Sequence, residues 1–266
     1  VKSLFETGTK PSDTQGQHLL AEIGPGHICL AILDRSLKRI PYIKYFQKEE
    51  SEELPWREVA TDLEGLSFSS VLICSAYPNS LLVPHSLQEG AIPMLESVYG
   101  SEGQQFFSDA LPEWQLVNHY SLPETLYREV VSQYPDALFF HMYTPSIKVY
   151  NGYHGAEQIS VHFTTTQFSV LVKKGNQLQL AQTYSYKTPL DVVYFLLKIC
   201  TEFQLDQSET VLVLSGLIEE DSALYRELNH YFLNIHFTQA NELSVADSTL
   251  PAHFFTSLYN LATCAS

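Results

Sequence analysis

From Ile159 to Tyr184 apolar and polar positions alternate with the period of a pleated strand, broken by two polar corners. Ile159, Val161 and Phe163 form one run, Phe168, Val170 and Val172 a second, and Leu178, Leu180 and Tyr184 a third. Thr164-Thr165-Thr166 makes the first corner. Lys174-Gly175-Asn176 makes the second, where Gly and Asn tolerate the positive φ of a hairpin turn. The pattern predicts a three-stranded antiparallel meander. The period then lengthens. Thr188 can cap a helix, Pro189 suits its first position, and Asp191 complements the positive end of its dipole. Asp191, Lys198 and Glu202 fall on one narrow polar stripe of an otherwise apolar segment, which predicts a mostly buried helix over 190–205. The continuous apolar run 211–214, ended by Ser215-Gly216, reads as a strand buried on both faces of a parallel sheet. A helix with Leu224, Leu228 and Tyr231 on one face follows, with Glu219, Glu220 and Asp221 in its first turn. A strand near 233–237 and a last helix after Pro251 complete the unit.

The first half repeats this order. Strands are expected over 19–23 and 28–33 around a Gly24-Pro25-Gly26 corner, and a third near 40–46. An acidic loop at 49–53, expected as solvated surface, precedes a helix over 55–63 and a buried strand over 71–74. Pro25 and Leu72 stand 47 residues apart, as do Thr165 and Leu212, and each half opens a late helix with Leu-Pro, at Leu122-Pro123 and Leu250-Pro251. An internal duplication follows. The next strand is placed at Leu116, 44 residues beyond Leu72, against 21 residues from Leu212 to Leu233. The first copy therefore carries an insertion of about 23 residues within 76–113, with a helix around 87–99, and such an insertion marks a partner or lid surface. The expected organisation is a flexible polar segment over 1–16, a first lobe over 17–155 and a second over 156–266.

Charge narrows the function classes. The net charge is −15, with −9 up to Tyr150 and −6 beyond it. Two acidic halves without a basic patch argue against nucleic acid and anionic membranes as partners. Cys29, Cys74, Cys200 and Cys264 are far apart in apolar stretches, as buried structural thiols are. No charged-then-apolar leader opens the sequence, and its longest strongly apolar run, 192–197, is too short to span a bilayer, so a cytoplasmic protein is expected.

A meander followed by two parallel strands, each reached through a helix, is the βββαβαβα order of the ribonuclease-H-like unit. Two in tandem resemble the α/β architecture of the actin-like ATPases. The runs NSLLVPHSL, YSYKTPLDVVYFLLK and VLVLSGLIEEDSALYREL, which recur in the same order, resemble an uncharacterised bacterial domain family assigned to this fold. The resemblance implies two glycine-rich corners that hold phosphates across a cleft, each with an aspartate organising Mg²⁺ and water, and a turn that holds adenosine. On this sequence the first corner reads AEIGPGHICLAI, with Glu22 at the aspartate position and Gly24 and Gly26 retained. The second reads VHFTTTQFSVLV, with His162 at the aspartate position and Thr164, Thr165 and Thr166 where glycines and a threonine are expected. The adenosine turn keeps Ser215 and Gly216, with one glycine of an expected pair.

The plainer readings stand beside these. Gly24-Pro25-Gly26 also suits a simple hairpin turn, His162 also suits a hydrogen-bonded structural residue, and the threonines also suit a β-branched turn flank. No HExxH pattern, metal-spaced Cys/His set, Walker A loop, dinucleotide fingerprint or nucleophile elbow is present. The expectation is a non-catalytic actin-like scaffold that binds a protein partner and needs no cofactor or metal. The alternative is an ATP-binding switch or weak ATPase using Mg²⁺, with Glu22 in place of the aspartate.

Overall fold

The computed structural model describes residues 2–48, 55–149, 157–239, 243–246 and 249–265. The acidic loop at 49–53 lies outside the described residues. The chain divides into two compact units: Val1–Val149 with Asn241–Ser248 and Ser257–Ser266, and Tyr150–Ala240 with Thr249–Thr256.

The first unit opens with β1 (Lys2–Gly8), β2 (His18–Gly24), β3 (His27–Asp34), β4 (Arg39–Gln47), a short helix α1 (Trp56–Ala60) and β5 (Ser70–Ser75). β6 (Ser80–Pro84), α2 (Ala91–Tyr99), β7 (Gln104–Leu111) and β8 (Leu116–Pro123) follow, then α3 (Glu124–Gln133), β9 (Leu138–His141) and α4 (Tyr143–Lys148). The main sheet runs β1-β4-β3-β2-β5-β9, with β5 parallel to both β2 and β9. Leu19, Leu30 and Ile73 meet Trp56 and Val59 of α1 and Leu126 and Val130 of α3 in one core. Trp56 is fully buried, yet its indole N–H donates to Gln133 Oε1 at 3.0 Å, so burial leaves no polar atom stranded.

The second unit contains β10 (Gln158–Phe163), β11 (Gln167–Lys174), β12 (Gln177–Ser185), α5 (Pro189–Phe203), β13 (Val211–Gly216), α6 (Ala223–Leu228) and β14 (Asn234–Phe237), with sheet order β12-β11-β10-β13-β14. The meander, the Gly175 turn at φ +60 and the α5 start follow the sequence pattern. Thr188 Oγ1 accepts from Asp191 N while Asp191 accepts from Thr188 N at 2.8 Å, a reciprocal capping box. Val192, Val193, Leu196 and Ile199 of α5 pack on β10 and β11.

Several expectations need correction. Residues 1–16 are not a loose tail throughout, because β1 pairs antiparallel with β4 from Lys2↔Gln47 to Gly8↔Tyr42. The strand at Leu116 is not the fifth strand of the repeated unit. β8 pairs antiparallel with β6 and β7 in a separate three-stranded sheet, and the strand parallel to β5 is β9. The insertion thus reaches Pro123, and α3, between β5 and β9, is the counterpart of α6 rather than of the last helix. Burial on α5 is narrower than expected, with Leu190 and Tyr194 exposed. The α6 helix begins after its cap at Ser222, so Glu219, Glu220 and Asp221 precede it and Tyr231 lies beyond it.

Nor does the second lobe run to the end of the sequence. β15 (Ser244–Val245) pairs in parallel with β4, and α7 (Thr256–Ala262) belongs almost wholly to the first unit. Leu258 and Leu261 are buried there, and Arg35 donates to the Ala265 carbonyl. Leu261→Ala is expected to cost about 2–5 kcal/mol of stability, read as a fall in the urea midpoint, as for other fully buried leucines.

Candidate functional site

The first corner is a two-residue hairpin between β2 and β3, with Gly24 opposite His27 and Glu22 opposite Cys29. Diagonal positions on one face bring Glu22 and His27 together. His27 donates from Nε2 to Glu22 Oε1 at 2.8 Å, and both side chains are only 3% exposed. Tyr45 of β4 stacks on the imidazole at 5.2 Å and 6°. Gly24 is essential to this arrangement. A Cβ there would lie 2.5 Å from His27 Cε1, so the missing side chain makes room for the histidine ring. Gly26 does not take a positive φ, and its carbonyl accepts from Lys48 N at 2.9 Å. A phosphate seated over Gly24, as the resemblance implies, would collide with His27. The carboxylate offered to a metal is already held by that imidazole. The residues present at this corner do not fit MgATP.

The second corner closes on itself as well. Thr164 N donates to Gln167 O at 2.9 Å, Thr164 Oγ1 lies 3.0 Å from the same carbonyl, and Gln167 N donates back to Thr164 Oγ1 at 3.3 Å. Tyr186 closes the corner from outside, its hydroxyl donating to Thr164 O and its N–H to Thr166 O. Thr165 is half-buried and Thr166 exposed. His162 Nδ1 lies 3.0 Å from Ser215 Oγ, which itself donates to Val161 O, so the ring N–H is the donor and the histidine locks β10 to β13. Gly216 has φ +77, and a Cβ on it would sit 2.1 Å from Phe163 O. Its freedom serves the close approach of β13 to β10, completed by Leu217 N donating to Phe163 O at 2.8 Å. Glu22, Gly24 and Gly26 are thus brought together in the first unit, and Thr164, Thr165, Thr166, Ser215 and Gly216 in the second.

Two buried polar features escaped sequence reasoning. His27 is one, although a Glu and a His flanking a two-residue corner is a readable signal. The other is Asp109 of β7, whose carboxylate accepts from His141 N at 2.9 Å and Thr144 Oγ1 at 2.7 Å at the start of α4. No local spacing announces it, since the partners lie 32 and 35 residues away. His141 donates from Nε2 to Tyr77 O at 2.9 Å and accepts at Nδ1 from Tyr143 N, which holds the ring neutral. Burial pushes the Asp109 carboxyl up to about 6 against those hydrogen bonds, and pushes His141 down to about 4.

The two shifts act with opposite sign on stability. The Asp109 contribution is fully present below its ordinary 3.8 and is lost as pH rises through about 6. The His141 contribution is present above 6.5 and is lost as pH falls through about 4. In the wild type they largely offset. Asp109→Asn should leave the His141 contribution unopposed, so the variant loses roughly 3 kcal/mol between neutral pH and pH about 4, read from urea midpoints.

Among the described residues no group of three His, Cys, Asp or Glu side chains could hold a metal ion. Burial, with Glu22 nearby, pushes the Cys29 and Cys74 thiols well up, so neither offers a thiolate at neutral pH. No helix among the described residues is long and apolar enough to cross a membrane.

Residues 7–235 match the family described as "Protein of unknown function (DUF3822)". The chain belongs to this family. No curated protein matches this DUF3822 chain. Among solved structures it is similar to a Bacteroides thetaiotaomicron protein with actin-like ATPase fold and unknown function, at TM-score 0.76 and 18% identity, covering 94% of this chain and 97% of the other. It is also similar to a chain of the PilM–PilN type IV pilus biogenesis complex, at TM-score 0.62 and 11% identity, covering 93% and 98%. At such identities the likeness establishes the fold alone. The DUF3822 chain has the actin-like ATPase fold.

Proposed function

We propose that this chain is a non-catalytic actin-like module that works by binding another protein. The observation that carries the reading is the first corner, where His27 occupies the space above Gly24 and holds Glu22. The second corner supports it, because Thr164 bonds within its own turn and the corner contains no carboxylate. What the fold uses elsewhere as a phosphate clamp serves here as two structural joints.

The insertion supplies the docking surface in this reading. Leu87, Met94 and Val98 stand 64, 57 and 67% exposed on and just before α2, while Leu95 of the same helix is buried. Met94 and Val98 lie one turn apart and form an outward apolar stripe. The PilM–PilN complex is a precedent for a chain of this fold assembling with another protein.

Phosphate release from MgATP tests the proposal. Purified protein at millimolar ATP is expected to release none above background, in the wild type and in Glu22→Ala alike. Turnover in the wild type that Glu22→Ala abolishes would restore the enzyme reading, with Glu22 as the metal-organising group.

A further inference from the structure

The insertion stands apart from the rest of the chain in the charge around its exposed apolar side chains. Between Arg57 and Arg128 the sequence has no lysine or arginine, although the whole chain has 15. Residues 76–123 hold Glu89, Glu96, Glu102, Asp109 and Glu113, and of these Asp109 alone is buried. By contrast, exposed Leu37 lies among Arg35, Lys38 and Arg39, and exposed Leu190 and Tyr194 of α5 lie between Lys187 and Lys198.

The helix of the insertion is covered on one side only. α2 packs on β6 and β8 and buries Ala91 and Leu95. Helical spacing puts Met94 and Val98 on one flank and Ile92 and Glu96 on the other. The first flank is exposed and the second half-buried. Exposed Glu89 stands just before the helix and exposed Glu102 just beyond it.

Apolar side chains set among charges of one sign select their partner by charge. A second copy docking this face on itself would oppose glutamate to glutamate. An anionic membrane is repelled for the same reason. The complement is a helix with one apolar face and lysines or arginines beside it, whose long stems cover apolar surface while their heads reach carboxylates. We infer that the α2 face binds a cationic amphipathic helix of a partner protein, with apolar side chains on Met94 and Val98 and basic ones towards Glu89, Glu96 and Glu102. This names the partner class of the non-catalytic module and rests on that reading.

A labelled synthetic amphipathic helix of leucine and lysine is the probe, and fluorescence anisotropy reads its binding to the full chain. Micromolar binding is expected. It should weaken about tenfold or more in Met94→Asn with Val98→Asn, and likewise in Glu89→Gln with Glu96→Gln and Glu102→Gln. Added salt should weaken binding to the wild type more than to the glutamine variant. A helix with glutamate for lysine, and one with serine for leucine, should each bind the wild type about tenfold or more weakly. Leu190→Asn with Tyr194→Asn, on α5, should bind as the wild type does. No binding, equal affinity for the leucine–glutamate helix, or wild-type affinity in either α2 variant overturns the inference. So does self-association, or attachment to phosphatidylglycerol vesicles, that the Met94 and Val98 substitutions abolish, because a second copy or a lipid surface would then be the occupant. If one α2 variant loses its native circular dichroism, the other decides. A failed titration without ATP turnover removes this partner class and leaves the non-catalytic reading, whereas turnover that Glu22→Ala abolishes removes both.

Discussion

Gly216→Ala is expected to destabilise the second unit by about 3–5 kcal/mol, with a proportionate fall in the urea midpoint. Three effects add. At φ +77 a residue with a Cβ carries about 1–2 kcal/mol of conformational strain. The new methyl would sit 2.1 Å from the Phe163 carbonyl oxygen, and that atom is backbone in β10, which cannot swing aside as a side-chain tip can. Moving it apart stretches the bond from Leu217 N to Phe163 O, worth about 1 kcal/mol. Gly175→Ala isolates the first effect. Its φ is +60 and a Cβ there meets nothing within 4 Å, so it should cost only about 1–2 kcal/mol. Equal losses in the two variants would mean that β13 does not approach β10 as described.

His27→Ala should cost the first unit about 3–5 kcal/mol, because it removes the imidazole that donates to the buried Glu22 carboxylate. Glu22→Gln combined with His27→Ala should recover much of that loss, since the carboxylate charge is then gone. A double-mutant cycle on urea midpoints measures the coupling directly, and a coupling near zero would show that the pair does not hold the corner. The same variant bears on function. With the imidazole gone, the space above Gly24 opens, and any latent phosphate affinity of the corner should become visible in His27→Ala before it does in the wild type.

Much of the architecture was legible because it rests on local period. The β10–β12 meander alternates cleanly, Thr188-Pro189 with Asp191 announces α5, and the apolar runs at β5 and β13 mark the parallel strands. The errors arose where pairing is remote. Leu116 begins an apolar alternation like any other strand, and nothing local reveals that its partners are β6 and β7 rather than β5. β9 is only four residues long, too short for its alternation to announce a strand. β1 is polar at most positions because it lies on a sheet edge, so it looked like a tail.

The candidate site was legible as a pair of corners and not as chemistry. Glu22, Gly24 and Gly216 were singled out as remnants of a nucleotide site, but their local reasons are a buried histidine and a close strand crossing. A glycine needed for phosphate and one needed for a neighbouring ring look the same in a sequence. Only the distance from Gly24 to His27 separates them.

The central claim is that the corners are structural joints, and nucleotide binding tests it most directly. The wild type should be melted with ATP, ADP and GTP, each with Mg²⁺, at millimolar concentration. No shift is expected with any of them. A ligand at about a hundred times its Kd adds roughly 2.7 kcal/mol, so a clear stabilisation of the wild type by one nucleotide would contradict it.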